Sequence, residues 1–222
     1  MLRARAEGSL LRVTSDSPEG LFRDIALLHK HEVPGGFLSR LRASDLEMLY
    51  RAQVESPEAM TLAWLDASGR CVGYVSVSTN TRRLYLWVIR RRWAVAFRIL
   101  LVAAGMTAGS VTNVQRWSET VRYPFRKQNR GLPDAEILNL AVAGTAIRQG
   151  IASILLSAVA AELAERDIRY VKAVTGKTQF AAQDFYRSVG AEYVGPLSIH
   201  AESPEVAFVI DLAQVAVRRP PR

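Results

Sequence analysis

The stretch Val142-Ala143-Gly144-Thr145-Ala146-Ile147-Arg148-Gln149-Gly150-Ile151-Ala152-Ser153 places small side chains where an apolar run gives way to helical spacing. A corner of this kind suits the binding of a pyrophosphate. The first turn of a helix carries unpaired N–H groups and a partial positive charge, and Gly150 and Ala152 let an anion approach the main chain closely. A glycine before a helix also serves simply as a turn, so the corner takes its meaning from its surroundings. Other chemistries find little material. Cys71 is the sole cysteine and His29, His31 and His200 are the only histidines. An intramolecular disulfide and a cysteine-ligated zinc centre are therefore excluded, and no metal cofactor is expected. Cys71 sits in an alternating apolar run and reads as core rather than nucleophile. His29 and His31, two positions apart, point to different sides of a helix and read as surface or pocket-lining.

The elements that must hold this corner follow from periodicity and punctuation. A strand is expected over Gly8–Ser15, then a helix from the Ser15-Asp16-Ser17-Pro18 start to about His31, broken by Val33-Pro34-Gly35-Gly36. A second helix spans Asp45–Val54. Met60–Leu65 and Cys71–Ser78, joined by Asp66-Ala67-Ser68-Gly69, read as an antiparallel hairpin. Leu84–Ile89 either extends the sheet or leads into a basic helix. Then come a strand over Glu136–Val142, a turn over Gly144–Gly150, a helix over Ile151–Arg166 and a strand over Tyr170–Val174. A helix over Phe180–Val189 and strands over Glu192–Gly195 and Val206–Leu212 complete an α/β arrangement.

With 222 residues, 49% apolar and 23% charged, the composition is that of one soluble domain able to bury its own core. The net charge of +8 is unevenly placed. Between Arg82 and Arg130 eleven Arg and Lys face one acid, Glu119, so this window carries +10 and the remainder −2. Such a surplus forms either a solvated face or a surface for phosphates, acidic lipid or an acidic protein. Trp93–Met106 reads as an apolar helix too short to span a bilayer, and the N-terminus turns charged before any secretory apolar run develops. A cytoplasmic location is expected, with peripheral contact to a membrane as its variant.

Two segments carry a resemblance. Leu138-Asn139-Leu140-Ala141-Val142 followed by Gly150-Ile151-Ala152 is similar to the Gln/Arg-x-x-Gly-x-Gly/Ala signature of the GNAT acetyltransferase superfamily. Gln179-Phe180-Ala181-Ala182-Gln183-Asp184-Phe185-Tyr186, continuing to Gly190-Ala191, resembles its later Asn-x-x-Ala-x-x-x-Tyr-x-x-x-Gly-Phe motif. The likeness is strong over Glu136–Gly195 and weaker from Gly8 to Ser78. Departures are Ile147 at the usual Gln/Arg position, Gly144 where proline is common, Gln179 for Asn and Ala191 for the aromatic.

The resemblance implies a mixed, mostly antiparallel sheet flanked by helices, in a single domain over 1–222 with a basic insertion at about 79–132. It implies direct transfer of an acyl group from acetyl-CoA or another acyl-CoA to a small-molecule amine. Leu140, Ala141 and Val142 would pair with the pantetheine chain, and a main-chain N–H near Val142 would polarise the thioester carbonyl. The run Ile147, Arg148, Gln149, Gly150, Ile151, Ala152 and Ser153 would hold the diphosphate, with Gln179 and Ala182 beside the cofactor. Tyr186 would protonate the leaving thiolate. Glu136, at the start of the motif strand, is the candidate base, or else an ordinary strand-end carboxylate in water. Alternatives are an acyl carrier protein-dependent enzyme for longer acyl chains and a catalytically silent module that binds CoA or a protein. The basic insertion is expected to recruit an acidic partner such as acyl carrier protein, or a membrane surface, or to form a homodimer contact. Nucleic acid is the weaker candidate, because no compact recognition signature accompanies the charge.

Overall fold

In the computed structural model, which describes residues 7–34, 38–97, 131–200 and 203–217, seven strands form one sheet in the order β1-β2-β3-β4-β5-β7-β6. The strands are β1 (Gly8–Val13), β2 (Ala59–Asp66), β3 (Cys71–Ser78), β4 (Glu136–Val142), β5 (Tyr170–Gly176), β6 (Glu192–His200) and β7 (Ser203–Asp211). Every neighbouring pair is antiparallel except β4–β5. The helices are α1 (Glu19–Glu32), α2 (Ala43–Val54), α3 (Thr81–Arg91), α4 (Ile151–Ala164), α5 (Phe180–Ser188) and α6 (Leu212–Val217). The mixed, mostly antiparallel sheet expected from the sequence is thus present.

Local chemistry explains the joints. At the β2–β3 turn Asp66 Oδ1 accepts from the N–H groups of Ser68 (2.9 Å) and Arg70 (3.0 Å), while Gly69 takes φ +80°. Asn80 caps α3, its Oδ1 accepting from the Arg83 N–H at 2.9 Å. Leu84–Ile89 is accordingly helical, which removes the reading in which it extends the sheet. β6 runs past Gly195-Pro196, where the sequence suggests an end. As the outermost strand it tolerates a proline, and its pairing shifts register at Tyr193/Gly195.

The sheet is covered on both faces. On one side α4 buries Ile151, Leu155, Leu156, Val159 and Leu163 against Val75, Val77, Ile137, Val171 and Phe208. On the other, α1 and α2 bury Phe22, Ile25, Leu46, Leu49 and Tyr50 against Ala63, Tyr74 and Ala141. β4 lies between the two cores and serves both, which fixes its position in the molecule.

Of the apolar stretch Trp93–Met106, residues 93–97 are helical and the rest lies outside the described residues, as does most of the 79–132 insertion. Among the described residues no helix is long and apolar enough to cross a membrane.

Candidate active site

The sheet opens at β4. Its register against β3 pairs Ile137 with Val77 and Asn139 with Ser76, leaving Leu138 as an extra residue on β4. Such a bulge bends the strand that carries it. On the other side β4 meets β5 only at Glu136↔Lys172 and Ile137↔Ala173. Beyond Ile137, β4 stays with β3 as far as Val142↔Gly73, and β5 stays with β7 as far as Gly176↔Glu205. The two parallel strands therefore part at the bulge, and among the described residues Leu138–Val142 has no strand partner on its β5 side. An edge in mid-sheet is a template for an extended, amide-bearing ligand. Leu140 and Val142 are half-buried on the α4 side, while Ala141 is buried on the α1 side.

The opening leads to the N-terminus of α4. Gly150 precedes the helix in the left-handed region (φ +84°), no side chain caps the first turn, and a Cβ at Gly150 would meet nothing within 4 Å. Ile154 is the first residue whose N–H is bonded, to Gly150 O at 3.0 Å. Among the described residues the N–H groups of Ile151, Ala152 and Ser153 meet no acceptor. Ile147, Arg148, Gln149 and Gly150 are all exposed, and Arg148 also takes a positive φ of 65°. The mouth is therefore open rather than plugged. Two contacts hold it in place. The Gly144 N–H donates to Glu32 Oε1 at 3.0 Å, tying the loop to the end of α1. Gly73 on β3 lets Ile151 sit against the sheet, since a Cβ there would lie 2.8 Å from Ile151 Cγ2.

The second motif builds the turn after β5 and the helix α5. Gln179 Oε1 accepts from the Thr175 hydroxyl (2.6 Å) and the Gly176 N–H (3.1 Å), closing the turn after β5. Gln183 Nε2 donates to the carbonyls of Gly176 (3.2 Å) and Lys177 (2.9 Å). These ties fix the start of α5, on which Ala182 is half-buried against the α4 core and Tyr186 is 6% exposed. The Tyr186 ring packs against Phe185 and Phe208 with centroids 5.5 and 5.6 Å away. Burial pushes its pKa up, so it stays a neutral hydrogen-bond donor, and its hydroxyl makes no hydrogen bond among the described residues.

Glu136 lies at the closed end of the opening. It is 5% exposed, and its Oε2 accepts from the Thr81 hydroxyl at 2.8 Å and faces Lys172 Nζ at 3.5 Å. Lys172, 4% exposed, also donates to Pro133 O at 2.7 Å. This buried pair sits where β4 and β5 last touch.

One expectation is corrected. His29 is neither at the surface nor lining a pocket: it is 1% exposed, with Nδ1 2.6 Å from the Tyr50 hydroxyl and 2.9 Å from that of Tyr74. Helix periodicity places it on the face of α1 that carries Ile25 and Ala26 inward; the two phenols partner Nδ1, while Nε2 is buried with no hydrogen-bond partner among the described residues. Desolvation, helped by Lys30, lowers its pKa to about 4. His31 is exposed and lies beside Glu32. Cys71 is buried as expected, its thiol pKa pushed up to about 12 by burial.

Four positions that shape the site escape the sequence reading: Leu138, Gly73, Glu32 and Lys172. Gly73, a glycine inside a strand, carried a signal, because such positions mark a close approach. The others arise from pairings between distant segments.

Comparison with known proteins shows what the chain is similar to. Residues 104–191 match the acetyltransferase (GNAT) family, of which residues 131–191 are described here. Solved structures share the fold. One titled SsHAT is 15% identical, covering 93% of this chain and 98% of its own, with a TM-score of 0.60. An aminoglycoside 6'-acetyltransferase type Ii is 14% identical over 96% and 99%, at 0.57. An N-acetyltransferase from Staphylococcus aureus Mu50 is 11% identical over 92% and 99%, also at 0.57. No curated protein gives a significant sequence match. The likeness to the GNAT superfamily read from the two motifs is thus upheld, and the chain carries the fold of the GNAT acetyltransferases.

Proposed function

We propose that this protein is an N-acyltransferase that moves an acetyl or other acyl group from acyl-CoA to a primary amine by direct attack. The observation that carries the reading is a coincidence in space: the only parallel pair of the described sheet opens at Leu138, and the opening runs into an uncapped helix mouth at Gly150. The N–H groups at the start of α4 and exposed Arg148 suit a diphosphate. The free edge Leu138–Val142 suits the amides of a pantetheine chain, and a main-chain N–H near Val142 would polarise a thioester carbonyl.

In the reaction the amine nitrogen bonds to the acyl carbon as the carbon–sulfur bond breaks. The sulfur leaves with its electron pair, and Tyr186, kept neutral by burial, supplies the proton it needs. For Glu136 the surroundings support a positioning role: its carboxylate is held by Lys172 and Thr81 at the base of the opening. The amine's proton then passes to water in the cleft. The test is thiol release from acetyl-CoA over a panel of amines, run beside calorimetric titration with acetyl-CoA. Binding with turnover supports the assignment. Binding without turnover on any amine points to a silent CoA-binding module, and no binding at millimolar ligand removes the reading.

A further inference from the structure

From Arg82 to Phe97 the chain carries five arginines, at positions 82, 83, 90, 91 and 92, and no acid. All five are exposed. α3 meets the body of the molecule through few residues, with Thr81 and Leu84 its buried positions. Just beyond, large apolar side chains stand in water: Ile89 is 48% exposed, Trp93 70% and Phe97 51%. Single exposed apolar residues are ordinary, but here Ile89 at the end of α3 and Trp93 and Phe97 in the helical run after the break at Arg92 flank an arginine triplet, the last two one helical turn apart. Arg92 is paired with Glu55, and Arg83 lies 3.8 Å from Glu58; Arg90 and Arg91 have no ion pair among the described residues.

We propose that this face, Ile89, Arg90, Arg91, Trp93 and Phe97, docks on a membrane surface containing anionic lipid. The residue types match the two layers of such a surface. Arginines meet phosphate headgroups and serve the negative surface potential, while an indole and a phenyl ring enter the headgroup–acyl boundary. An acidic protein or nucleic acid would also use the charge, and bases would stack on Trp93 and Phe97, but the aliphatic Ile89 beside them fits the headgroup–acyl boundary rather than a base. Docking by this face is independent of the acyl-transfer reading, because none of these side chains belongs to the opening at β4 or the mouth of α4.

The experiment is co-sedimentation of the full chain with vesicles of phosphatidylcholine alone and with about one third phosphatidylglycerol, with heparin retention as a parallel arm. The expected result is partition onto the anionic vesicles, a blue-shifted tryptophan emission, and little binding to the neutral ones. Arg90→Glu/Arg91→Glu lowers partition by about tenfold or more and weakens heparin retention too. Trp93→Ser/Phe97→Ser lowers vesicle partition severalfold and leaves heparin retention unchanged. Circular dichroism melts of both variants match the parent, since the substituted side chains are exposed. The proposal is overturned if anionic vesicles are not bound at low salt, or if the Trp93/Phe97 variant binds them as the parent does. The latter outcome would make the face a general polyanion surface for an acidic protein or nucleic acid.

Discussion

Replacing Lys172 with Met tests whether the ion pair at the fork of the sheet holds it together. Lys172 Nζ and Glu136 Oε2 lie 3.5 Å apart, with both side chains under a tenth exposed. At an effective dielectric near 20 their attraction is about 5 kcal/mol, and much of it offsets the cost of desolvating the two charges. Removing the lysine takes its cation from a buried carboxylate that keeps the Thr81 hydroxyl, and the expected loss is about 3–5 kcal/mol, on the order of 10 °C in melting temperature for a chain of this size. Urea unfolding measures it. The double variant Glu136→Gln/Lys172→Met recovers part of the loss, because neither charge then remains in the buried site. Glu136→Gln alone should lose stability while the surviving folded enzyme keeps the shape of its pH–rate profile. If Lys172→Met costs less than about 1 kcal/mol, the pair does not pin the fork. If Glu136→Gln is as stable as the parent but loses the limb of the profile that reports a base, Glu136 takes the amine's proton and the positioning role is wrong.

Tyr186→Phe should lower kcat by about ten- to a hundredfold with little change in KM, since only the proton donor is lost; stopped thiol-release assays measure both. Gly150→Asp puts a carboxylate at the helix mouth in a left-handed backbone position, and calorimetry should show acetyl-CoA affinity falling by at least tenfold. Gly73→Ala drives a methyl to 2.8 Å from Ile151 Cγ2 and should cost about 1–3 kcal/mol in urea unfolding while weakening CoA binding through displacement of α4. His29 supplies a pH test. Its folded pKa of about 4 lies below the unfolded 6.5, so below pH 6.5 the unfolded chain takes up a proton that the folded chain refuses. Its contribution is complete above pH 6.5 and is lost as pH falls towards 4, about 3 kcal/mol in all; His29→Leu should flatten that part of the stability profile.

Most of the element order is legible because each element has its own local signal. Asp66-Ala67-Ser68-Gly69 is a turn by its side-chain chemistry, and Ile151–Ala164 buries an apolar face that repeats at helical spacing. The mouth at Gly150 is legible for the same reason, being built from one short run of residues. What lies beyond reach is register. No local feature of Leu138 shows that it will be the extra residue against Ser76 and Val77, yet that mismatch opens the sheet. Lys172 reads as a strand residue until β5 is set beside β4 and finds Glu136 opposite. His29 misleads because a polar residue near a helix end is normally solvated; its burial depends on Tyr50 and Tyr74, 21 and 45 positions away. Leu84–Ile89, apolar enough for a strand, is settled by Asn80, one cap that is easily overlooked beside six hydrophobic residues.

Amide hydrogen exchange with and without saturating CoA tests the acyl-carrier site most directly. Exchange should slow at Leu138–Val142 and at Arg148–Ser153, the free strand edge and the helix mouth, and change little in β1, β2 and α2. Unchanged exchange in both segments under saturating CoA, or protection confined to another part of the molecule, would contradict the assignment.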